Sequence, residues 1–143
     1  MFSGAMASGN FVVDTSQNMY FTFGAMVVPS NDFFIGNDSP TEHRLFDAAG
    51  NLTIASIGIN APQIWDAGSE VFDPAAAAFV GNNGLRRDQN SVVAFNFAEF
   101  AGLNGLPTGA GYTFDSALTA DSEVYRITFD VSRLAENNIV LSS

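Results

Sequence analysis

The sequence predicts an all-β protein, a sandwich or a barrel, with a short helical turn and long loops. Three observations support this class. Short apolar runs recur along the chain, residues that favour turns separate them, and aromatic residues are frequent, with 14 Phe among 143 residues. Aromatic and β-branched residues fit the pleated surface of a sheet, and turns at short intervals are typical of sandwiches and barrels.

Composition indicates a single folded domain. Hydrophobic residues make up 47% of the chain and charged residues only 14%, which excludes a disordered acidic tail. A chain of 143 residues is the size of one domain and can bury a real core. We expect residues 1–10, rich in small side chains, to form a flexible leader or an expression remnant, and residues 11–143 to form the domain.

The charge balance and the lack of cysteine exclude several classes of function. Five arginines and no lysine stand against 15 carboxylates, for a net charge of −10. Such a surface repels phosphate backbones and anionic lipids, so we expect no nucleic-acid partner and no membrane binding. Without cysteine there are no disulfides, thiolate metal sites or thiol redox chemistry.

The chain shows no sign of membrane insertion or of its own export signal. No apolar run approaches the roughly 18 residues of a membrane span. The first residues have neither the positive charge nor the apolar run of a signal peptide. We therefore expect the signal of a secreted protein to lie outside this sequence.

Eight segments have the composition and patterning of strands. The strongest is Met19–Pro29, in which aromatic and β-branched residues continue until Pro29 ends the run. Tyr125–Val131 alternates apolar and polar residues regularly, and Ile139–Leu141 is expected to be a short edge strand. The predicted strands are Phe11–Asp14, Met19–Pro29, Arg44–Phe46, Leu52–Ile59, Pro62–Trp65, Ser91–Phe97, Tyr125–Val131 and Ile139–Leu141.

Three connecting segments have their own predicted conformations. Asp47–Asn51 separates two predicted strands and ends in Gly and Asn, which can adopt positive φ, so a hairpin is expected. Asp73–Val80 contains Pro74 and four consecutive Ala, which predicts one or two helical turns capped by Asp73. Ala98–Gly111, rich in Gly, Ala, Asn and Leu, is predicted to be a long loop.

Two acidic turns are the main candidates for a functional site. Val27–Asp38 and Trp65–Glu70 each place carboxylates directly after an apolar strand. Loops that meet at one end of a sandwich can supply the roughly six to eight oxygen ligands that Ca²⁺ prefers. The alternative is that Asn, Asp, Gly and Pro only form turns, which is their commonest use. Spacing alone leaves both interpretations open.

Three strings make the first half of the chain similar to a known family. They are AMVVPSNDFFIGN at Ala25–Asn37, PTEHRLFDAAGN at Pro40–Asn51 and DAGSEV at Asp66–Val71. In this order they resemble the spondin domain, the module of F-spondin, mindin and many bacterial secreted proteins. The similarity extends from Tyr20 to Val80 and fades afterwards.

The resemblance implies a C2-like antiparallel β-sandwich outside the cell, with a divalent cation, Ca²⁺, near one end of the sandwich. Carried over by position, the metal ligands would be Asn31 and Asp32 in the first string and Asp66 and Glu70 in the third. Asp38 is close by but has no match in the family, so it is either a further ligand or a turn residue.

The chain departs from the family mainly at the early strand. Relatives usually carry another stretch, including a strand, before the first string, and only Phe11–Asp14 is available for it here. A sheet that lacks a strand exposes an edge that can pair with another chain. Self-association through such an edge is therefore one expected mode of assembly.

No catalytic constellation is predicted, so we expect no enzymatic activity. His43 is the one histidine, which excludes the common zinc sites with two or three His ligands, and the sequence has no G-x-S-x-G elbow. Asp66 and Glu70 resemble the carboxylate pair of a glycosidase, but two carboxylates in one turn are more often cation ligands. We expect His43 to be structural or a loop residue.

Aromatic residues beside the acidic turns are candidates for contact with a partner. Trp65 is expected to pack in the core or at its rim, and the alternative is an exposed platform for stacking sugars. Phe33 and Phe34 are consecutive in a predicted strand end, so one of them is expected to face outward.

These observations predict an extracellular calcium-binding adhesion or binding module that is not an enzyme. Its partner would be an extracellular protein or a glycan, or a second copy that pairs with an edge strand. Two alternatives stay open. One is a self-assembling subunit of a surface layer or fibre, completed by strand exchange, and the other is a carbohydrate-binding β-sandwich with Trp65 at the site.

Overall fold

The computed structural model of the protein describes residues 6–78, 84–109, 111–114, 118–133 and 138–142. Within these residues short antiparallel strands dominate, accompanied by one α-helix and two single-turn 3-10 helices. The predicted all-β class is confirmed, with several antiparallel sheets and a sandwich-like character.

Each described strand is two to six residues long. In chain order the strands are β1 (Asn10–Asp14), β2 (Tyr20–Phe21), β3 (Gly24–Met26), β4 (Phe33–Gly36), β5 (His43–Arg44), β6 (Ser56–Asn60), β7 (Trp65–Asp66), β8 (Ala94–Phe95), β9 (Leu106–Pro107), β10 (Thr113–Phe114), β11 (Glu123–Thr128), β12 (Asp130–Arg133) and β13 (Asn138–Ser142). A 3-10 helix (Ala61–Gln63) precedes β7, and α1 (Phe97–Phe100) continues into a second one (Ala101–Leu103). β9 pairs with β10, and β6 pairs with β11.

Backbone proximity divides the described residues into two compact units. The first comprises Gly24–Gly36 and the described part of Ile59–Val124. The second comprises the described chain up to Phe23, Asn37–Gly58 and the described part of Tyr125–Ser143. The expectation of a single domain over residues 11–143 stays a prediction.

The first unit contains a four-stranded antiparallel sheet in the order β3-β4-β7-β8. Strand alternation turns Phe33 and Ile35 inward, where they are 1% and 5% exposed, and places Phe34 on the other face. The Phe33 ring packs edge to face on Phe72 and Phe100, with ring centroids 6.2 and 5.5 Å away. This aromatic cluster forms the core beneath the sheet.

The second unit contains a three-stranded sheet in the order β1-β13-β12. The predicted strand Phe11–Asp14 is confirmed as Asn10–Asp14, so it begins one residue inside the predicted leader. The prediction that Ile139–Leu141 is an edge strand is wrong, because β13 lies in the centre of its sheet. Ile139 and Leu141 are 2% and 3% exposed, and β1 and β12 pair with β13 along its two sides.

The prediction of one long strand over Met19–Pro29 is also wrong. The segment forms two strands that belong to different sheets. β2 pairs with β5, and β3 pairs with β4. Before β3, the side-chain amide of Asn37 accepts a hydrogen bond from the Phe23 amide at 2.8 Å and donates one to the Phe21 carbonyl at 3.0 Å. One side chain thus satisfies backbone groups that a partner strand would otherwise satisfy.

Asp73–Val80 does not form the predicted helix within its described residues. The chain makes a hydrogen-bonded turn, in which the Ala76 amide donates to the Asp73 carbonyl at 2.9 Å. The Asp73 carboxylate accepts a hydrogen bond from the Ala75 amide at 3.0 Å, as a capping residue would. Residues 79 and 80 of the predicted helix lie outside the described part of the chain.

The helix occurs instead at the start of Ala98–Gly111, which was predicted to be a loop. Asn96 caps α1, since its side-chain oxygen accepts a hydrogen bond from the Glu99 amide at 3.3 Å. The following 3-10 helix buries Leu103 completely. The prediction missed this N-terminal signal because Asn96 fell inside the predicted strand Ser91–Phe97.

Five further predicted strands have different bounds. In place of Arg44–Phe46 the structure has β5 at His43–Arg44, and in place of Leu52–Ile59 it has β6 at Ser56–Asn60. Pro62–Trp65 begins in a 3-10 helix and joins β7 only at its last residue. Ser91–Phe97 forms a strand only at Ala94–Phe95. Tyr125–Val131 is divided between β11 and β12 at Phe129, whose amide donates to the carbonyl of residue 55 at 2.9 Å.

The predicted hairpin at Asp47–Asn51 is confirmed. Phe46 and Leu52 pair across the turn, and Gly50 has a φ of +77°, a conformation that glycine adopts without strain. A side chain at Gly50 would also collide with Thr15, because an added Cβ would lie 2.6 Å from the Thr15 hydroxyl oxygen.

The carboxylate of Asp47 organises this turn. It accepts hydrogen bonds from the Asn51 amide at 2.8 Å, from the Asn51 side chain at 3.1 Å and from the Ala49 amide at 2.9 Å. The two hydrogen bonds from Asn51 hold the pKa of Asp47 below its ordinary value, and the bond from the Asn51 backbone has the larger effect.

Replacing Asn51 by Ala is expected to raise the pKa of Asp47 toward its ordinary value of 3.8, because one donor to the carboxylate is lost. At a pH above the ordinary pKa, these bonds make their full contribution to the free energy of unfolding. The contribution is lost as the pH falls through the lower pKa that Asp47 has in the folded chain. NMR titration of the Asp carboxyl groups measures the shift, with Asn90→Ala as an exposed control. An Asp47 pKa that is the same in the wild type and in Asn51→Ala would contradict the assignment.

Replacing Phe33 by Ala is expected to lower the free energy of unfolding by about 3–5 kcal/mol, because it empties the centre of the aromatic cluster. Phe34→Ala changes the next residue of the same strand and is expected to cost only about 1 kcal/mol, since its side chain is partly exposed. Denaturant unfolding measures both changes. Equal losses would show that the two rings do not lie on opposite faces.

Candidate functional site

The candidate site lies where the turn before β4 meets the loop after β7, both in the first unit. Antiparallel pairing of Phe33 with Asp66 brings these two strand ends side by side. Asp32 therefore lies beside Ala67, whose amide donates to the Asp32 carbonyl at 3.3 Å. The two acidic turns that the sequence singled out are neighbours in the structure.

The carboxylate of Asp32 binds the loop after β7, and we call this contact the Asp32 latch. Its Oδ2 accepts hydrogen bonds from the Ser69 amide at 2.7 Å, from the Ser69 hydroxyl at 2.9 Å and from the Glu70 amide at 2.9 Å. Hydrogen bonds to an ionised carboxylate are stronger than bonds between neutral groups. The Asp32 latch therefore fixes the loop against the turn before β4.

Asp66 shapes the same loop from within. Its Oδ1 accepts a hydrogen bond from the Gly68 amide at 2.7 Å, and its Oδ2 accepts one from the Asn96 side chain at 2.9 Å. Gly68 has a φ of +65°, and an added Cβ would lie 2.9 Å from backbone atoms of Ser91 and Val92. The loop thus requires glycine here for its conformation and for the close approach of the neighbouring chain.

Asn31 and Ser30 form a buried base for the site, at 4% and 0% exposure. The Asn31 side chain accepts a hydrogen bond from the Asp73 amide and donates one to the Asp73 carbonyl, both at 3.2 Å. The Ser30 hydroxyl accepts a hydrogen bond from the Phe33 amide at 3.2 Å and donates one to the Val27 carbonyl. Ser30 was not predicted to belong to the site, because a serine in a turn has no distinguishing signal in sequence.

Glu70 pairs with an arginine. Its Oε1 lies 2.8 Å from Nε of Arg86, which also lies 3.6 Å from a carboxylate oxygen of Asp88. The Glu70 side chain is 13% exposed, whereas that of Arg86 is 64% exposed, so solvent weakens the pair. Arg86 was missed as a site residue because its proximity to Glu70 depends on the pairing of two loops.

The four predicted metal ligands lie in or beside the two turns that meet here, and each of their side chains has a partner in the protein. Hydrogen-bond donors already occupy Asp32 Oδ2, both carboxylate oxygens of Asp66 and the side-chain oxygen of Asn31, while Glu70 binds a guanidinium. Among the described residues, no group of three or more acidic or histidine side chains is placed to hold a metal. The calcium site at these residues stays a prediction.

The other polar candidates lie in the second unit. His43 stacks on Phe23 with ring centroids 5.9 Å apart, and its Nε2 lies 3.7 Å from a carboxylate oxygen of Glu42. The same Glu42 oxygen accepts a hydrogen bond from the amide of Asp38 at 2.7 Å. These contacts give His43 and the Asp38 backbone roles in packing and turn formation.

A row of four side chains crosses the outward face of the sheet in the first unit, and we call it the outer row. Cross-strand pairing aligns Met26, Phe34, Trp65 and Phe95, one from each strand. Trp65 lies between two rings, with Phe34 at 6.2 Å and Phe95 at 3.9 Å between centroids. Met26 and Phe95, at the two ends, are 54% and 49% exposed.

Trp65 is held in this row by more than stacking. Its indole N–H donates to the carbonyl of Gly36 at 3.2 Å, so the polar edge of the ring is bonded to the neighbouring strand. Phe34 is the residue of the Phe33–Phe34 pair that faces outward, as strand alternation predicts. Trp65 is half-buried, which agrees with packing at a rim.

Replacing Asp32 by Ala is expected to lower the free energy of unfolding by about 1–3 kcal/mol, because two loop amides and a hydroxyl lose their acceptor. The loss is expected both with Ca²⁺ and with EDTA, since the Asp32 latch uses no ion. Thermal melts of the wild type, Asp32→Ala and the exposed control Asp121→Ala measure it. Unchanged stability in Asp32→Ala would contradict the latch.

The same melts test the predicted calcium site. A wild-type melting temperature that rises with Ca²⁺ but not with Mg²⁺, and a rise that disappears in Asp32→Ala and Asp66→Ala, would support calcium at these residues. Equal wild-type melts in Ca²⁺ and EDTA would refute the calcium prediction and leave the hydrogen-bonded latch as the organiser of the loops.

Comparisons of the chain with protein-family models, with curated proteins and with solved structures found no match. No helix among the described residues is both long enough and apolar enough to cross a membrane. The residues of the site and of the outer row are therefore the features of this chain that bear on its function.

Proposed function

We propose that this chain is a non-catalytic binding module that acts outside the cell and contacts an extracellular protein through the outer row. The observation that carries this proposal is the alignment of Met26, Phe34, Trp65 and Phe95 across a whole sheet, with both ends about half exposed. Aligned apolar side chains at a surface are typical of binding sites, and aromatic residues contribute most to protein interfaces.

The state of the acidic residues supports a binding role over a catalytic one. Asp66 uses one carboxylate oxygen to hold its own loop and the other to bind the side chain of Asn96, and Glu70 binds Arg86. A general acid or base has to reach the substrate with a titrating oxygen, whereas these oxygens already have partners. Their work in the folded chain is to fix the loops beside the outer row.

The surroundings of Trp65 favour a protein partner over a sugar. A sugar stacks on an open aromatic face, but Trp65 has Phe95 at 3.9 Å and Phe34 on its other side. A protein surface can instead pack apolar side chains against the exposed ends of the row. The carbohydrate-binding alternative therefore has less support from this geometry.

The extracellular location and the calcium ion come from the resemblance to the spondin domain. The strings at Ala25–Asn37 and Asp66–Val71 contain the turn before β4 and the loop after β7, so the resemblance covers the site itself. In this proposal, calcium would neutralise the acidic loops and stabilise the folded state by mass action. Its binding would require Asp32 and Asp66 to exchange amide donors for the ion.

Replacing Met26 and Phe34 together by Ser is expected to reduce binding to an extracellular surface by at least about tenfold, because the contact loses two apolar side chains. The probe is a cell-surface fraction of the producing organism, and retention of labelled chain is measured against concentration. Val131→Ser is the matched control, since Val131 is also an exposed apolar strand residue, at 44% exposure.

Treatment of that surface separates the candidate partners. Loss of binding after protease treatment, with glycosidases having no effect, is expected for a protein partner. Loss after glycosidase treatment alone would favour the carbohydrate-binding alternative. Equal binding by the wild type and the double variant would contradict a role for the outer row.

A further inference from the structure

Methionine provides the sulfur chemistry of this chain, because the sequence has four methionines and no cysteine. Peroxides oxidise an exposed methionine to its sulfoxide, and cellular reductases reverse the change. The reaction converts a flexible apolar side chain into a polar one. It therefore has the largest effect where a methionine lies on a surface that binds through apolar contact.

Met26 lies on such a surface. It is the β3 member of the outer row, it is aligned with Phe34 of β4, and it is 54% exposed. Trp65 and Phe95 continue the row on the two following strands. Met26 is thus at an open end of the row, where a small oxidant can reach it.

The other described methionines differ from Met26 in exposure or in position. Met19 is partly buried, and Nη2 of Arg44 donates to its sulfur at 3.8 Å. Because an oxidant reacts with a lone pair of the sulfur, this donor is expected to slow the oxidation of Met19. Met6 is 97% exposed but precedes β1, in the second unit. Among the described methionines, Met26 is therefore the one that is both exposed and part of the outer row.

The sheet can accept a sulfoxide at this position without losing its core. The buried residues Phe33 and Ile35 lie on the opposite face of the sheet. In the free chain, the sulfoxide oxygen of Met26 would stay in water, so the folded state would lose little stability. In a complex, the same oxygen would leave water for an apolar contact, which is unfavourable. Oxidation is therefore expected to weaken binding and to leave the fold intact.

We propose that Met26 is a redox-sensitive control point of the outer row, and that its oxidation to the sulfoxide releases the partner. This inference rests on the binding function proposed above. The sulfur gives an electron pair to one oxygen of a hydroperoxide, the O–O bond breaks, and the other oxygen takes the proton and leaves as water or an alcohol. The sulfur is oxidised by two electrons and the peroxide is reduced by two. A methionine sulfoxide reductase with a dithiol reverses the step and releases water.

The first test measures which methionine reacts. The full chain is treated with dilute hydrogen peroxide at neutral pH, and peptide mass spectrometry follows each methionine and Trp65 over time. Met26 is expected to form its sulfoxide at least about fivefold faster than Met19. The melting temperature of the oxidised chain is expected to fall by less than about 3 °C, because a change at an exposed position costs little stability. A Met26 that reacts no faster than Met19, or a chain that unfolds on oxidation, would overturn the proposal.

The second test measures retention on the cell-surface fraction described above, before and after peroxide. The oxidised wild type is expected to bind at least about tenfold more weakly, and treatment with the reductases is expected to restore binding. The double variant Met6→Leu with Met19→Leu is expected to lose binding on oxidation as the wild type does. Met26→Leu has no sulfur at this position, so peroxide is expected to change its binding by less than about twofold, relative to its own value before treatment.

The reduced wild type separates the two proposals. If it is not retained, the outer row has no partner on that surface, and both proposals fail. If it is retained and the oxidised wild type is retained equally, only the control by Met26 is overturned. If peroxide weakens Met26→Leu as strongly as the wild type, the effect comes from another residue and the control by Met26 is again overturned.

Discussion

The hydrogen bonds between the Asp32 carboxylate and the amides of Ser69 and Glu70 are the constraint on which the rest of the first unit depends. The loop after β7 has no regular secondary structure, so its backbone groups need partners from elsewhere. Asp32 and Asn31 supply them at successive points of the loop. The carbonyls of Ser69 and Gly68 in this loop accept hydrogen bonds from the segment before β8, which is the fourth strand of the sheet.

In the first unit, three adjacent residues have three different structural roles. Asp32 fixes a loop, Phe33 fills the core, and Phe34 joins the outward face. Since strand alternation separates the two rings, the same short string contributes to the interior and to the outward face of the sheet. The net charge of −10 reduces nonspecific association with other acidic surfaces.

Local patterns were predictable from the sequence, whereas contacts between distant segments were not. The hairpin at Asp47–Asn51 depends on a glycine within the turn itself, and the facing of Phe33 and Phe34 follows from a two-residue period. The break in Met19–Pro29 depends on the Asn37 side chain, which lies far along the chain. In the sequence, nothing distinguishes Asn37 from an asparagine that only forms a turn.

The same distinction applies to the site. The proximity of Asp32 to the Asp66–Glu70 turn was predicted, because both follow apolar runs that a sheet would align. The donors that occupy their oxygens were not predicted, since an acidic residue in sequence looks the same whether an ion or an amide satisfies it. The central position of β13 was missed for a related reason, because strand order is set by pairing between the two ends of the described chain.

The position of the one tryptophan has a spectroscopic consequence. Trp65 lies between Phe34 and Phe95 in the first unit, so intrinsic tryptophan fluorescence reports on that sheet and on nothing else in the chain. Far-ultraviolet circular dichroism reports on the strands of both units together. Comparing the two signals during denaturation measures whether the units lose structure cooperatively, without any label or substitution.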